Sequence, residues 1–336
     1  MRDAVVTPEG DRMRWVEIPG GGGGEGRGGR QGEGGARPPA RVYVHGLGAS
    51  SPAYFAAAAT HPLLAGPRAL LVDLLGFGLS DRPTTFDYHL ESHADALATA
   101  LRAAGVAGAE VVAHSMGGTV AIHLAARHPE LVSRLVLVDA NLDPGTTPAP
   151  AGAGSSGIAS FTEEEFVAGG WREVRDAVGP AWWATMRLAG LEALHRSAVH
   201  LVRGTTPSTR DLLLTLPIPR TYLHPAPDGP PAGTPGLRAA GVTVTAVPDC
   251  GHNIMLDNLP GFATAVAEAL GAPPPERAGR GRRRPPPHAA QHPPSAAGPA
   301  SCGAVPGPIE SASAFTTYTS QGSRPGPWTQ TLSWRA

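Results

Sequence analysis

Lysine is absent from this sequence, and all 27 basic residues are arginine. Aromatic residues make up only 5% of it and charged residues 16%, and there are just two cysteines, Cys250 and Cys302. Each shortage excludes something. Two cysteines in unlike surroundings do not make the disulfide framework of a small secreted domain. The arginine balances 28 acidic residues to a formal net charge of −1, so there is no global electrostatic case for nucleic acid or an anionic membrane as partner. No stretch approaches about 18 uninterrupted apolar residues, so no membrane span is expected. The opening MRDAVVTPEGDRMRWVEIPG has no basic segment followed by an apolar one, which makes the cytoplasm the expected compartment. There is no G-x-x-x-x-G-K and no H-E-x-x-H, and the 13 histidines show no metal-ligand spacing. Neither a cofactor nor a metal is therefore expected.

What is plentiful is glycine (44 residues) and proline (36). With arginine standing in for lysine, that composition reads as codon bias rather than as an adaptation to arginine chemistry. Two segments take much of it. Residues 20–39, GGGGGEGRGGRQGEGGARPP, hold nothing apolar enough to anchor a fold and read as an enlarged hairpin loop between MRWVEI and ARVYVH. Residues 272–336 form a Pro-, Gly-, Ser- and Arg-rich tail without periodicity. Its basic cluster Arg280, Arg282, Arg283 and Arg284 reads as solvated chain.

The remaining residues, to position 271, are consistent with one α/β domain, since 41% hydrophobic content suffices for a sizeable core. Apolar, β-rich runs at 41–45, 69–73, 109–113, 134–139, 220–224 and 242–247 alternate with helical patterns at about 90–104, 117–127 and 257–270. Several runs are apolar at nearly every position, as central strands covered on both faces must be. The alternation predicts a mostly parallel, doubly wound sheet with helices on both faces. The rhythm breaks between about 144 and 216. FTEEEFVAGGWREVRDAV and PAWWATMRLAGLEALHRSAVHLV there read as an inserted helical cap over the strands' C-terminal edge, where ligands bind in open α/β sheets. Trp171, Trp182, Trp183, Met186 and Leu188 give that cap an apolar face, either a greasy acyl pocket or the cap's own packing.

The chemistry concentrates in VVAHSMGG, residues 111–118. A serine at an abrupt strand-to-helix turn is either a nucleophile or an ordinary helix N-cap. The elbow demands small residues two positions either side, and Ala113 and Gly117 meet that demand. A nucleophile also needs a base, a group orienting that base, and N–H donors for a developing oxyanion. HGLGAS (45–50) follows a strand-like run and offers the Leu47 N–H, with the Met116 N–H as second donor. His252, in a Gly-flanked loop between the last strand and the last helix, is the candidate base. For the carboxylate, Asp228 after the strand 220–224 is favoured over Asp139 at the end of RLVLVD, on placement alone.

HGLGAS, DLLGFGLSDRP, AHSMGG, LVLVDANLDP and PDCGHNIMLDNLPGF, in that order, resemble the serial motifs of the α/β-hydrolase superfamily, in particular its bacterial cofactor-free serine hydrolases. The resemblance covers about residues 12–18 and 41–270 and implies the α/β-hydrolase fold. It also implies Ser115 as nucleophile, His252 as base, and Leu47 and Met116 as oxyanion donors. The family's post-strand G-x-x-D is similar to Pro225-Ala226-Pro227-Asp228 except for Pro225, and some relatives carry the acid after the preceding strand, where Asp139 sits. The implied activity is hydrolysis of an ester or related acyl compound, a small and apolar molecule, through an acyl-enzyme. The alternatives are C–C bond hydrolysis or cofactor-free peroxidase-type chemistry with the same triad, or a non-catalytic ligand-binding role. A serine at the elbow argues against the aspartate-nucleophile members.

Overall fold

A computed structural model describes residues 1–21, 38–145 and 154–271; the arginine cluster at 280–284, Cys302 and most of the Gly-rich segment lie outside them. Eight strands form one sheet in the order β1-β2-β4-β3-β5-β6-β7-β8. They are β1 (Arg2–Val5), β2 (Arg12–Ile18), β3 (Arg41–Val44), β4 (Ala69–Asp73), β5 (Ala109–His114), β6 (Val132–Val138), β7 (Arg220–Pro225) and β8 (Val242–Val247). From β4 to β8 all neighbours are parallel, whereas β1 and β2 run antiparallel to their neighbours.

The expected hairpin between β2 and β3 does not form. β2 pairs with β4, and β4 lies between β2 and β3. β3 is instead flanked by two parallel partners, which bury it on both sides and at both edges. The antiparallel hairpin joins β1 and β2.

Alternation along the central strands divides the core between the two faces. Val111 and Ala113 of β5, with Leu135 and Leu137 of β6, face one cluster, together with Leu97 and Leu101 of α2 (Leu90–Ala103) and Val120 and Leu124 of α3 (Met116–Arg127), helices numbered by chain order. Val112 and Val136 face the opposite way, toward Tyr54 and Phe55 of α1 (Ser51–Ala59) and toward Phe262 and Val266 near the C-terminal end of the described chain. Each fully buried Phe or Leu contributes about 1.5–3 kcal/mol relative to exposure.

Between β6 and β7 the chain makes the helical cap: α4 (Gly154–Ile158), α5 (Glu163–Glu165), α6 (Trp171–Met186), α7 (Leu191–Arg203) and α8 (Thr209–Thr215). Thr162 and Glu165 close a capping box at α5, each side chain bonding the other's backbone N–H. Gly179 (φ 76°, ψ 171°) and Pro180 kink α6, because proline cannot continue the hydrogen-bond ladder. Three short helices complete the domain: α9 (Thr234–Ala239), α10 (Ile254–Asp257) and α11 (Leu259–Ala269). None of the helices among the described residues is long and apolar enough to cross a membrane.

The cap meets helix α2 through a buried histidine. His93 on α2 lies 3.1 Å from the Ser197 hydroxyl on α7 and is fully enclosed. Burial, reinforced by nearby His45, pushes its pKa down to about 3. The folded protein therefore keeps His93 neutral down to about pH 3, while the unfolded chain protonates it near 6.5. Between those values the unfolded state binds more protons, so stability is present above pH 6.5 and is lost as the pH falls. Thermal melts are expected to show a midpoint that drops steadily from pH 7 to pH 5. His93→Gln, which can keep the bond to Ser197 without titrating, should make that dependence shallower, the remainder coming from the other histidines that burial holds neutral, among them His45 and His114; an unchanged slope would exclude His93 as a contributor.

Candidate active site

Ser115 follows the last residue of β5 and precedes the first of α3, with φ 52° and ψ −125°. Such a backbone costs roughly 1–3 kcal/mol in a non-glycine residue and persists only where its surroundings hold it. Here its N–H donates to Val138 O at 3.0 Å, and its carbonyl accepts from Gly118 N–H at 2.9 Å. A Cβ at Gly117 would stand 2.3 Å from His45 O, and one at Gly118 2.4 Å from the Ala140 methyl. Glycine is thus required at both positions for the elbow to close against β3 and β6. Ala113 raises no such conflict: its methyl is buried within the core.

β6 ends at Val138, and Asp139 takes a left-handed turn (φ 45°), its N–H still held by Leu223 O at 2.8 Å. That turn carries the carboxylate to His252, whose Nδ1 lies 2.6 Å from Asp139 Oδ2. A carboxylate accepts at Nδ1 only from N–H, so the neutral imidazole is fixed with its lone pair on Nε2. The His252 loop is itself tied down. Gly251 N–H donates to Asp257 Oδ2 (2.9 Å), Asn258 Nδ2 to Pro248 O (2.8 Å), and His114 Nε2 to His252 O (3.0 Å). Burial keeps His114 neutral, well below the usual histidine pKa, with its ring 4.5 Å from that of His252.

Asp228, the favoured carboxylate, is not brought to His252. The turn after β7, with Asp228 N–H on Pro225 O (3.3 Å) and Gly229 at φ 73°, leaves Asp228 on the surface. It is a turn former, and the alternative residue, Asp139, occupies the place beside the imidazole.

The HGLGAS segment reaches the serine from β3. A Cβ at Gly46 would lie 2.9 Å from Ser115 Cβ. His45, fully buried, accepts from Leu74 N–H at Nε2 (3.0 Å), so its proton is on Nδ1 and donates to Gly46 O (2.7 Å). Ala49 N–H binds the same carbonyl at 3.1 Å. The trans peptide is planar, so fixing Gly46 C=O directs the Leu47 N–H the opposite way. Among the described residues the Leu47 N–H has no acceptor. Met116 opens α3, so its N–H has no intrahelical acceptor. Asp73 secures the far side of this loop, accepting from Ser51 N–H (2.7 Å), Ser50 Oγ (3.1 Å) and Leu79 N–H (2.8 Å).

Two further features were not read from the sequence. Ser115 Oγ donates to Asn141 Oδ1 at 3.2 Å, and Asn141 is itself anchored through its carbonyl to Thr119 Oγ1 (2.7 Å). Trp182 Nε1 donates to Leu47 O at 3.2 Å. Of the apolar cap residues, Met186 is buried and Trp171, Trp182 and Trp183 are partly buried against the core, whereas Leu188 is exposed. Trp171 and Trp183 stack on each other at 5.7 Å, which is packing of the cap itself.

The sequence profile of the α/β-hydrolase fold matches residues 42–241, more than half of the chain. The chain belongs to the α/β-hydrolase family. It is 38% identical over 98 residues to a 2-hydroxymuconate semialdehyde hydrolase of Pseudomonas sp. (strain CF600), covering 29% of this chain and 35% of that protein. It is also 35% identical over 99 residues to Lipase 3 of Moraxella sp. (strain TA144), covering 29% and 30%. The matched stretch thus spans about a third of the length of these curated relatives. Among solved structures, an esterase from Exiguobacterium antarcticum superposes with a TM-score of 0.61 at 18% identity, covering 80% of this chain and 98% of its own. That likeness is one of fold.

The two carboxylates are separable experimentally. Asp139→Asn should slow fluorophosphonate labelling of the protein by about 10²–10⁴-fold, the cost of losing the tautomer-fixing acceptor. Asp228→Asn should leave the rate within about twofold, as for a surface position. Mass spectrometric labelling time courses measure both.

Proposed function

We propose that this protein is a serine hydrolase that cleaves an ester or related acyl compound through an acyl-enzyme. The reading rests on one observation above all: a carboxylate at 2.6 Å from His252 Nδ1 on the same sheet edge as a strained elbow serine. Ser115 Oγ attacks the acyl carbon, His252 Nε2 takes its proton, and Asp139 stabilises the resulting imidazolium. The charge developing on the carbonyl oxygen is met by the Leu47 and Met116 N–H groups. The imidazolium returns its proton to the leaving alcohol, and water, activated by the same histidine, releases the acid.

The resting hydroxyl points to Asn141, so attack requires rotation about the Ser115 side chain toward His252. Catalytic hydrogen bonds are often incomplete before substrate binds. The substrate is a small molecule whose acyl part is apolar, received beneath the cap that Trp182 and Met186 bring against the Leu47–Gly48 turn.

C–C bond hydrolysis is the second reading, favoured by the likeness to a 2-hydroxymuconate semialdehyde hydrolase, and it would use the same residues. A substrate panel decides between them. Ser115→Ala is expected to lower hydrolysis of p-nitrophenyl acetate and butyrate by about 10³-fold or more. Wild-type rates in that variant would refute the serine mechanism. Turnover of a vinylogous β-diketone with inert p-nitrophenyl esters would favour the second reading.

A further inference from the structure

The residue proposed to donate the loop N–H to the oxyanion, Leu47, lies between two peptide groups, and both are held. The group before it is fixed from below by His45 Nδ1–H and Ala49 N–H on Gly46 O (2.7 and 3.1 Å). The group after it is fixed from above, because Trp182 Nε1–H binds Leu47 O at 3.2 Å. The first clamp belongs to the loop that follows β3; the second belongs to the cap. Next to it, Met186 of the same helix lies so close to Gly48 (φ 68°) that a Cβ there would be 3.1 Å from Met186 Cγ and Cε. One face of α6 therefore rests directly on the turn that aims the Leu47 N–H.

Two rigid planes joined at one Cα leave two soft dihedrals, φ and ψ of Leu47. With only the lower plane fixed, the N–H direction survives, yet the loop can still rock as a unit on its Gly46 and Gly48 ends. Fixing the second plane removes that freedom. An N–H stabilises an oxyanion only when its position is set before charge develops. We propose that Trp182 is a positioning residue for the oxyanion hole, coupling the seating of the cap to the position of the loop that carries the Leu47 N–H. The proposal rests on the serine-hydrolase reading. It makes the cap more than a pocket wall, since the hole reaches full strength only with α6 seated.

Trp182→Phe keeps an aromatic ring and removes the donor. Site-specific replacement of Trp182 by 3-benzothienylalanine, in which sulfur takes the place of the N–H, does so with the ring shape preserved. In both variants kcat for p-nitrophenyl butyrate should fall about tenfold, with KM within about twofold, as for an interaction made in the transition state. Affinity for a trifluoromethyl ketone of the same chain length, whose adduct carries the oxyanion, should fall by the same factor. Butyrate affinity should not change. Trp182→His, which retains a ring N–H, should recover part of kcat. A benzothienylalanine variant with wild-type kcat and ketone affinity would overturn the clamp while leaving the hydrolase reading intact. A rise in KM alone would also overturn it, since that marks Trp182 as a pocket wall. If hydrolysis by the wild-type protein survives Ser115→Ala, the hydrolase reading fails and the clamp fails with it.

Discussion

The strained backbone of Ser115 is the constraint on which the rest of this structure turns. A serine at φ 52°, ψ −125° has no reason to stay there unless three elements force it. β6 takes its N–H, the first turn of α3 takes its carbonyl, and β3 passes so near that Gly117 has no room for a methyl. The parallel ladder of β3, β5 and β6 is what brings those elements together, and two apolar faces, one on each side of the sheet, hold the ladder in place. Core packing and the elbow are therefore one problem: the hydrophobic layers stabilise a geometry the local sequence would not adopt.

Around the serine, the polar groups are arranged by tautomer as much as by distance. Asp139 requires His252 to carry its proton on Nδ1, and Leu74 N–H requires the same of His45. In the first case the lone pair is left at Nε2, available to a hydroxyl; in the second the Nδ1 proton fixes a peptide plane. Burial keeps His45 and His114 below the usual histidine range, so neither competes for charge with the solvent-facing His252. Three histidines at one edge thus hold three different tasks, separated by which nitrogen faces what.

Much of this was legible in the sequence and some was not. The central strands were readable because burial on both faces makes them apolar at almost every position, as in RLVLV. The elbow was readable because its steric demands fall on near neighbours. Pairing of β2 was not, since adjacency in sequence favours β3 while the structure places β4 between them. β1, four residues with an exposed polar pattern, carries no strand periodicity. Which carboxylate would meet the imidazole was not legible for a similar reason: Asp139 and Asp228 both follow strands, and only the left-handed turn at Asp139, against the outward turn at Pro225–Gly229, decides which reaches His252. Asn141 and Trp182 act across long sequence separations through single side-chain bonds, which no local pattern records.

The most direct test of the account is a crystal structure of the protein after reaction with a small alkyl fluorophosphonate. The expected adduct has phosphorus bonded to Ser115 Oγ, the phosphonyl oxygen about 2.7–3.1 Å from both the Leu47 and Met116 N–H groups, and Asp139 still bound to His252 Nδ1. An adduct on another residue, a phosphonyl oxygen turned away from those two N–H groups, or His252 paired with Asp228 would contradict it.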